Sequence, residues 1–424
     1  MTVNWKALAA TLLSVGLASL LWVRGIAPAV SRVDTDFPNY LTAARIVADG
    51  GPAARLYDDA WFQGQMRHYG IGKPQQGKFA PFPPPTALLL IPLCRLEPLN
   101  ALRVMTGISL LCLICSAFLL RRILKSSLLE ATAFMLLSGY AVSNTLRFGQ
   151  PYILVSASCL LGYVEYRRGR PLLAGLCFGL FVPVKYLPVV FLAYFAFIRQ
   201  WRVVLGGAVA SAAVVAASVA VLGWPVHQQF LASVLGNHLL ANLSMQDPFT
   251  ASFQSFDTLF RRLFVFDAAE NPHPWLALPW LQGIAILLTK SAILAVAIIA
   301  LVKLARDDAC DSVPPSIGLL GVLVLLLAPA TATYHFVLLW LPVALLIGHF
   351  LRENAFATAW AVLGMYALIG FFPYGHTAVF EGHGALTVLA YPRLFLLLMI
   401  FSVSAYGLLS HSRQARTVAA TPTC

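Results

Sequence analysis

Charge is what this sequence has least of. Its 424 residues include 17 Asp and Glu and 29 Lys and Arg, together 11% of the chain, against 59% hydrophobic residues. Soluble domains carry about 25% charged residues, so a water-soluble globular fold is excluded. Long alternating runs are lacking too. The apolar stretches are continuous, which points away from a barrel and toward helices that satisfy their own backbone hydrogen bonds in lipid. With a mean hydropathy of +0.78, the sequence predicts an all-α, multi-pass membrane protein.

Cysteine is sparse, at seven. Cys94, Cys112, Cys115, Cys159 and Cys177 lie in or against apolar segments, Cys310 falls in a charged loop and Cys424 is the last residue, so no disulfide framework follows. Cys112 and Cys115 form a C-x-x-C, but with Leu113 and Ile114 between them inside a span they read as packing residues. There is no P-loop, no G-x-G-x-x-G, no H-E-x-x-H and no soluble domain large enough for a nucleotide. An enzyme built this way must draw an activated substrate from the membrane. The net charge of +12 does not mark a nucleic-acid binder, because Lys and Arg stand in short clusters between apolar runs, as the positive-inside rule requires.

What is present is a succession of spans. With Lys6 inside, the clusters at Arg121, Arg122 and Lys125, at Arg167, Arg168 and Arg170, at Arg199 and Arg202, at Lys303 and Arg306, at Arg352 and at Arg413 and Arg416 all fall on one side. They do so if about twelve helices cross at roughly 7–23, 101–120, 128–143, 150–166, 171–184, 186–198, 203–223, 284–302, 314–331, 335–349, 355–372 and 391–409. The first run reads as a retained anchor, longer than a usual signal-peptide core. The apolar stretch Thr86 to Cys94 reads as the start of the second span or an interfacial helix; a span of its own there puts most basic clusters outside. The expectation is one membrane-embedded domain over 1–424, in the cell membrane, with outward segments at 24–83, 224–283 and 373–390.

The segment 24–83 is polar and aromatic, and Asp34, Asp36, Asp49, Asp58 and Asp59 are five of the 17 acidic residues. Phe37, Tyr40, Leu41, Ala44, Val47 and Ala48 recur at helical spacing before Gly50 and Gly51, and Trp61, Phe62, Met66 and Tyr69 repeat the pattern. These predict two short amphipathic helices on the outer membrane surface. Asp36, just before the first, reads either as a general base at the interface or as a helix N-cap. Asp34-Thr-Asp36 permits a divalent metal, though the spacing is short and common, and no cofactor is favoured.

Arg147, Gln150 and Lys185 are polar groups at the outward ends of apolar runs, in NTLRFGQPY and FVPVKYLP. Ionisable groups at membrane depth face a cavity or a partner. Lys185 either meets a phosphate, with Arg147 as a fork beside it, or snorkels as an anchor. Tyr334 and His335 begin an apolar run on the same outward face, or form an ordinary helix end.

The succession D-F-x-x-Y (Asp36 to Tyr40), L-Y-D (Leu56 to Asp58), F-P-P-P (Phe82 to Pro85), F-G-Q-P (Phe148 to Pro151), GRPLLAGLCFGLFVPVKYLP (Gly169 to Pro188) and Y-H (Tyr334, His335) resembles glycosyltransferase family 87, which includes polyprenol-phosphate-mannose-dependent α-1,2-mannosyltransferases. The resemblance covers nearly the whole chain in order. It implies a GT-C bundle, a hexosyl donor carried on a polyprenyl phosphate, mannose in the first instance, and a glycolipid or glycan acceptor. Asp36 matches the family's loop aspartate and His335 its late histidine, and Phe82 with a third proline stands where Tyr is usual. On that resemblance Asp36 is the catalytic base, Lys185 and Arg147 bind donor phosphate, and Tyr40, Gln150, Tyr334 and His335 bind substrate. The competing class is a transporter or lipid flippase. Such proteins carry inverted repeats with midplane sites, and no convincing internal repeat is found here; a catalytically dead scaffold is the third class.

Overall fold

In the computed structural model, residues 5–71, 77–239, 248–306, 312–372 and 374–419 are described. Cys310 and Cys424 lie outside them. Helix makes up 77% of the structure and no strand occurs among the described residues, which agrees with the all-α expectation. Among the described residues, six helical stretches are long and apolar enough to cross a membrane: Ala9–Ser31, Pro98–Leu124, Trp201–Leu222, Pro279–Arg306, Thr333–Arg352 and Pro392–Ser410. The other expected crossings fall on shorter or broken helices, among them Leu128–Leu136 with Tyr140–Arg147, Tyr152–Arg167, Pro171–Leu180, Val189–Phe197, Val313–Leu327 and Phe356–Phe371. A helix rises 1.5 Å per residue, so ten residues cover about half of a 30 Å hydrocarbon core.

The chain packs as two compact units, residues 1–122 with 126–246, and residues 123–125 with 247–424. In the first, a seam of small residues joins Pro171–Leu180 to Trp201–Leu222. A Cβ on Gly175 or Gly179 runs into the backbone of Val203 or Gly207, so only glycine lets these helices approach this closely.

The two helices expected in the first outward segment form as Phe37–Ala48 and Asp59–His68. The first is not an exposed amphipathic helix, because nine of its twelve residues are buried, Asn39 and Thr42 among them. Two of its polar side chains, Asn39 and Arg45, bond the backbone of other segments. Asn39 Oδ1 accepts from Lys78 N at 3.1 Å, and the Arg45 guanidinium donates to the carbonyls of Cys94, Tyr69 and Leu96 at 2.8–3.0 Å. The ambiguous stretch after Phe82 forms two short 3-10 turns, Pro84–Leu88 and Ile91–Leu93, with Ala87 and Leu90 in the same hydrophobic cluster as Phe37 and Leu41. It is separate from the long helix that starts at Pro98.

The second unit is tied by buried polar groups. Arg393, 2% exposed, donates to the carbonyls of Ile369 and Phe372 and to Thr333 Oγ1 at 2.9–3.0 Å. Gln254 receives the Arg393 backbone N–H and donates to the carbonyls of Ala251 and Ala390. Arg262 bonds Glu381 at 2.8 Å and the carbonyl of Phe249, and Lys290 pairs with Asp257. Charges covered this way are tolerated because they are paired, and Arg393 and Arg262 each find several partners.

Candidate active site

Asp36 precedes the helix Phe37–Ala48, yet its side chain makes no capping bond to that helix, and its backbone is helical rather than extended. The carboxylate is used elsewhere. Gln150 Nε2 donates to Asp36 Oδ2 at 2.7 Å. This favours the functional reading of Asp36 over the N-cap, since a cap must accept from the first-turn N–H groups. By contrast Asp58 does cap its helix, accepting from Trp61 N at 3.0 Å, and there the Arg55 guanidinium holds its carboxyl below the ordinary range, helped by that backbone bond.

Gln150 reaches Asp36 because of the turn in F-G-Q-P. The helix Tyr140–Arg147 closes with Phe148 N bonded to Asn144 O, Gly149 N to Leu146 O and Gln150 N to Thr145 O, and Gly149 takes φ +61°, the left-handed C-terminal geometry glycine permits. A Cβ at Gly149 meets the Phe37 ring and Leu102. The missing side chain therefore lets the turn sit against Phe37, the neighbour of Asp36, and Pro151 then starts the next helix.

Lys185 lies where helix is interrupted, as Pro183 and Pro188 predict. One helix ends at Leu180, the next starts at Val189, and Lys185 N bonds Phe181 O at 2.7 Å. The side chain is 8% exposed. Its ammonium sits 4.6, 4.9 and 5.6 Å from the ring centres of Phe82, Tyr152 and Tyr40 and donates to Tyr40 Oη at 3.2 Å. Three aromatic faces and a hydroxyl replace much of the lost hydration of the cation. Tyr40 in turn bonds Gln150 Oε1 at 2.6 Å, so Asp36, Gln150, Tyr40 and Lys185 form one connected group.

Arg147 is held by Asp34, which Arg32 also approaches at 3.4 Å. Asp34 engages the Arg147 Nε, and the guanidinium lies 5.4 Å from the Phe148 ring centre. Asp34 thus has guanidinium partners, and among the described residues no group of three or more His, Cys, Asp or Glu side chains could hold a metal ion.

Tyr334 and His335 belong to the second unit, on the turn Thr333–Leu339. His335 Nδ1 accepts from Ala332 N at 3.0 Å, which puts the proton of the neutral ring on Nε2, and the Tyr334 ring packs edge-on at 4.9 Å. The turn is fixed by Gln254 N bonding Thr331 O and by Arg393 bonding Thr333.

Sequence reasoning missed the ring partners of Lys185, although Phe82 and Tyr152 stand inside the quoted motifs F-P-P-P and FGQPY. It also missed His238, edge-on to Tyr186 with ring centres 6.0 Å apart. Burial, reinforced by the charge of Lys185, pulls the His238 ring down to about 4. No local signal distinguishes that histidine from the other eight.

A family model described as glycosyltransferase family 87 matches residues 79–329. Arg147, Gln150 and Lys185 fall within the matched span, whereas Asp36, Tyr40, Tyr334 and His335 fall outside it. No curated protein and no solved structure matches the chain.

Proposed function

The chain belongs to glycosyltransferase family 87, and on that premise we propose that this membrane glycosyltransferase moves a hexose, mannose in the first instance, from a polyprenyl-phosphate donor to a glycolipid or glycan acceptor on the extracytoplasmic face. Asp36 takes the proton of the acceptor hydroxyl as the new bond from acceptor oxygen to the anomeric carbon forms. The bond from that carbon to the phosphate oxygen breaks on the opposite side, the electron pair leaves with polyprenyl phosphate, and the configuration inverts.

Arg147 and Lys185 carry the leaving phosphate. A guanidinium has five donors and Asp34 engages Nε, so the fork can serve an anion as well. The rings around Lys185 keep its ammonium out of water, where its field is least screened. The proposed transfer calls on no cofactor, and a divalent metal at Asp34 and Asp36 is the alternative not favoured. Tyr334 and His335 supply hydrogen-bonding groups for the substrate sugar.

The observation that carries this reading is the carboxylate of Asp36, bonded to Gln150 rather than to the helix it precedes. Asp36→Asn keeps an oxygen for Gln150 and forfeits no cap, so purified Asp36→Asn is expected to melt like the parent and to transfer no hexose. Near-normal turnover removes Asp36 as the base. Mass spectrometry of envelope glycolipids and glycans with and without the protein identifies the product by its missing hexose, and unchanged glycans with a redistributed lipid favour a flippase.

A further inference from the structure

With Lys185 as an ammonium and Asp36 as a carboxylate, the hydrogen bonds between them run in one direction. An ammonium only donates and a carboxylate only accepts. Lys185 Nζ therefore donates to Tyr40 Oη, Tyr40 turns its own hydrogen to Gln150 Oε1, and the amide, held by its oxygen, presents Nε2 to Asp36 Oδ2. With the amide turned over, its oxygen faces the carboxylate and its NH2 faces the hydroxyl hydrogen, so two attractive contacts become repulsive. Tyr40 and Gln150 are 2% and 0% exposed, so water is poorly placed to repair such a reversal. The cage of Phe82, Tyr152 and Tyr40 keeps the ammonium at its end of the chain.

We propose that Tyr40 and Gln150 are positioning residues that pin one carboxylate oxygen of Asp36 and hold that carboxylate ionised, with Lys185 setting the polarity of the chain. The proposal rests on Asp36 being the base. It gives Tyr40 and Gln150 a role through Asp36, and it links the donor-side cation to the acceptor-side base by three bonds. A base on a short side chain beside lipid can rotate about two bonds, and fixing one oxygen narrows the directions from which the carboxylate can meet an acceptor hydroxyl. Among the charged and titratable groups within electrostatic reach of Asp36 are Lys185 and Tyr152, with Asp34 two residues away against Arg147 and Arg32. None of these is altered by substitution of Gln150.

The test is an infrared titration of the protein in liposomes, in which the carboxyl band lost in Asp36→Asn reports the protonation of Asp36. A hydrogen bond to the ionised form favours that form. In Gln150→Leu the midpoint is expected to rise by about one pH unit, and in Tyr40→Phe it rises in the same direction by less, because the amide keeps its place but loses its lock. With polyprenyl-phosphate-mannose as donor and total membrane lipid as acceptor, the acid limb of the rate profile moves by the same interval. Tyr40→Phe removes a single oxygen from a buried ring and keeps the test open if Gln150→Leu does not fold. An unchanged midpoint in either folded variant overturns the proposal. Failure of the general-base reading registers separately, as transfer by Asp36→Asn, and leaves the infrared midpoints where they are.

Discussion

Gln150 reaches Asp36 across 114 residues of sequence to place its amide nitrogen 2.7 Å from a carboxylate oxygen. The contact depends on the glycine before it, which adopts φ +61° with the Phe37 ring where a Cβ belongs. Gly149→Ala must accept a left-handed backbone, at about 1–2 kcal/mol, and must push back Phe37 or Leu102. The expected result is a lower melting temperature together with a loss of transfer, measured where the variant is still folded, that exceeds what the unfolded fraction explains. Full activity per folded molecule shows that the turn can shift without moving Gln150.

Lys185→Gln removes a cation while keeping a side chain that can bond Tyr40. Losing a charge-assisted contact costs about 1.5–3 kcal/mol, which is roughly ten- to a hundredfold in affinity or rate. Donor binding or transfer is expected to fall by that factor with acceptor affinity unchanged. If only thermal stability changes, Lys185 is an anchor, and Arg147 is the residue to test for the phosphate.

His238 makes a prediction about acid. Its folded value of about 4 lies below the ordinary 6.5, from burial first and the charge of Lys185 second. Between those values the unfolded chain binds the proton and the folded protein does not, so stability rises with pH across the window. Acidification from about 6.5 to about 4 therefore destabilises the fold, and the loss is complete below about 4. Melting temperatures at pH 7, 5.5 and 4.5 should fall more steeply for the parent than for His238→Gln, and parallel lines would show that the ring is solvated.

The expected outward placement of residues 24–83 has a chemical test. A cysteine in place of Gln63, in a chain cleared of its seven native cysteines, is expected to react with an impermeant thiol reagent in intact cells. Labelling only after the cytoplasmic side is opened reverses the topology.

The sequence made the helical bundle legible, because continuous apolar runs admit no other backbone in lipid. It also showed the break at Lys185, written in two prolines, but not the turn at Gly149, which the motif F-G-Q-P marked only as a point of resemblance. It could not show that Asn39, Thr42 and Arg45 are covered. Polar residues at helical spacing read as a solvent face, and here Asn39 and Arg45 bond the backbone of segments 24 to 51 residues away. Local pattern likewise marked Arg147, Gln150 and Lys185 as polar groups at the outward ends of apolar runs and Tyr40 as part of a helical repeat, but the order in which Tyr40, Gln150 and Lys185 touch is set by tertiary register.

The four bonds that define the site, Asp34 to Arg147, Asp36 to Gln150, Tyr40 to Gln150 and Tyr40 to Lys185, join residues 113, 114, 110 and 145 positions apart. During synthesis the aspartates leave the ribosome long before any of these partners exists. Long-range contacts form only after the intervening loop has been closed, so these four bonds are all in place only once the segment carrying Lys185 has been inserted. A nascent chain halted before Arg147 carries the aspartates without Arg147 and Gln150, and so a lipid-linked sugar that reaches it meets carboxylates that lack the groups holding them in the finished protein.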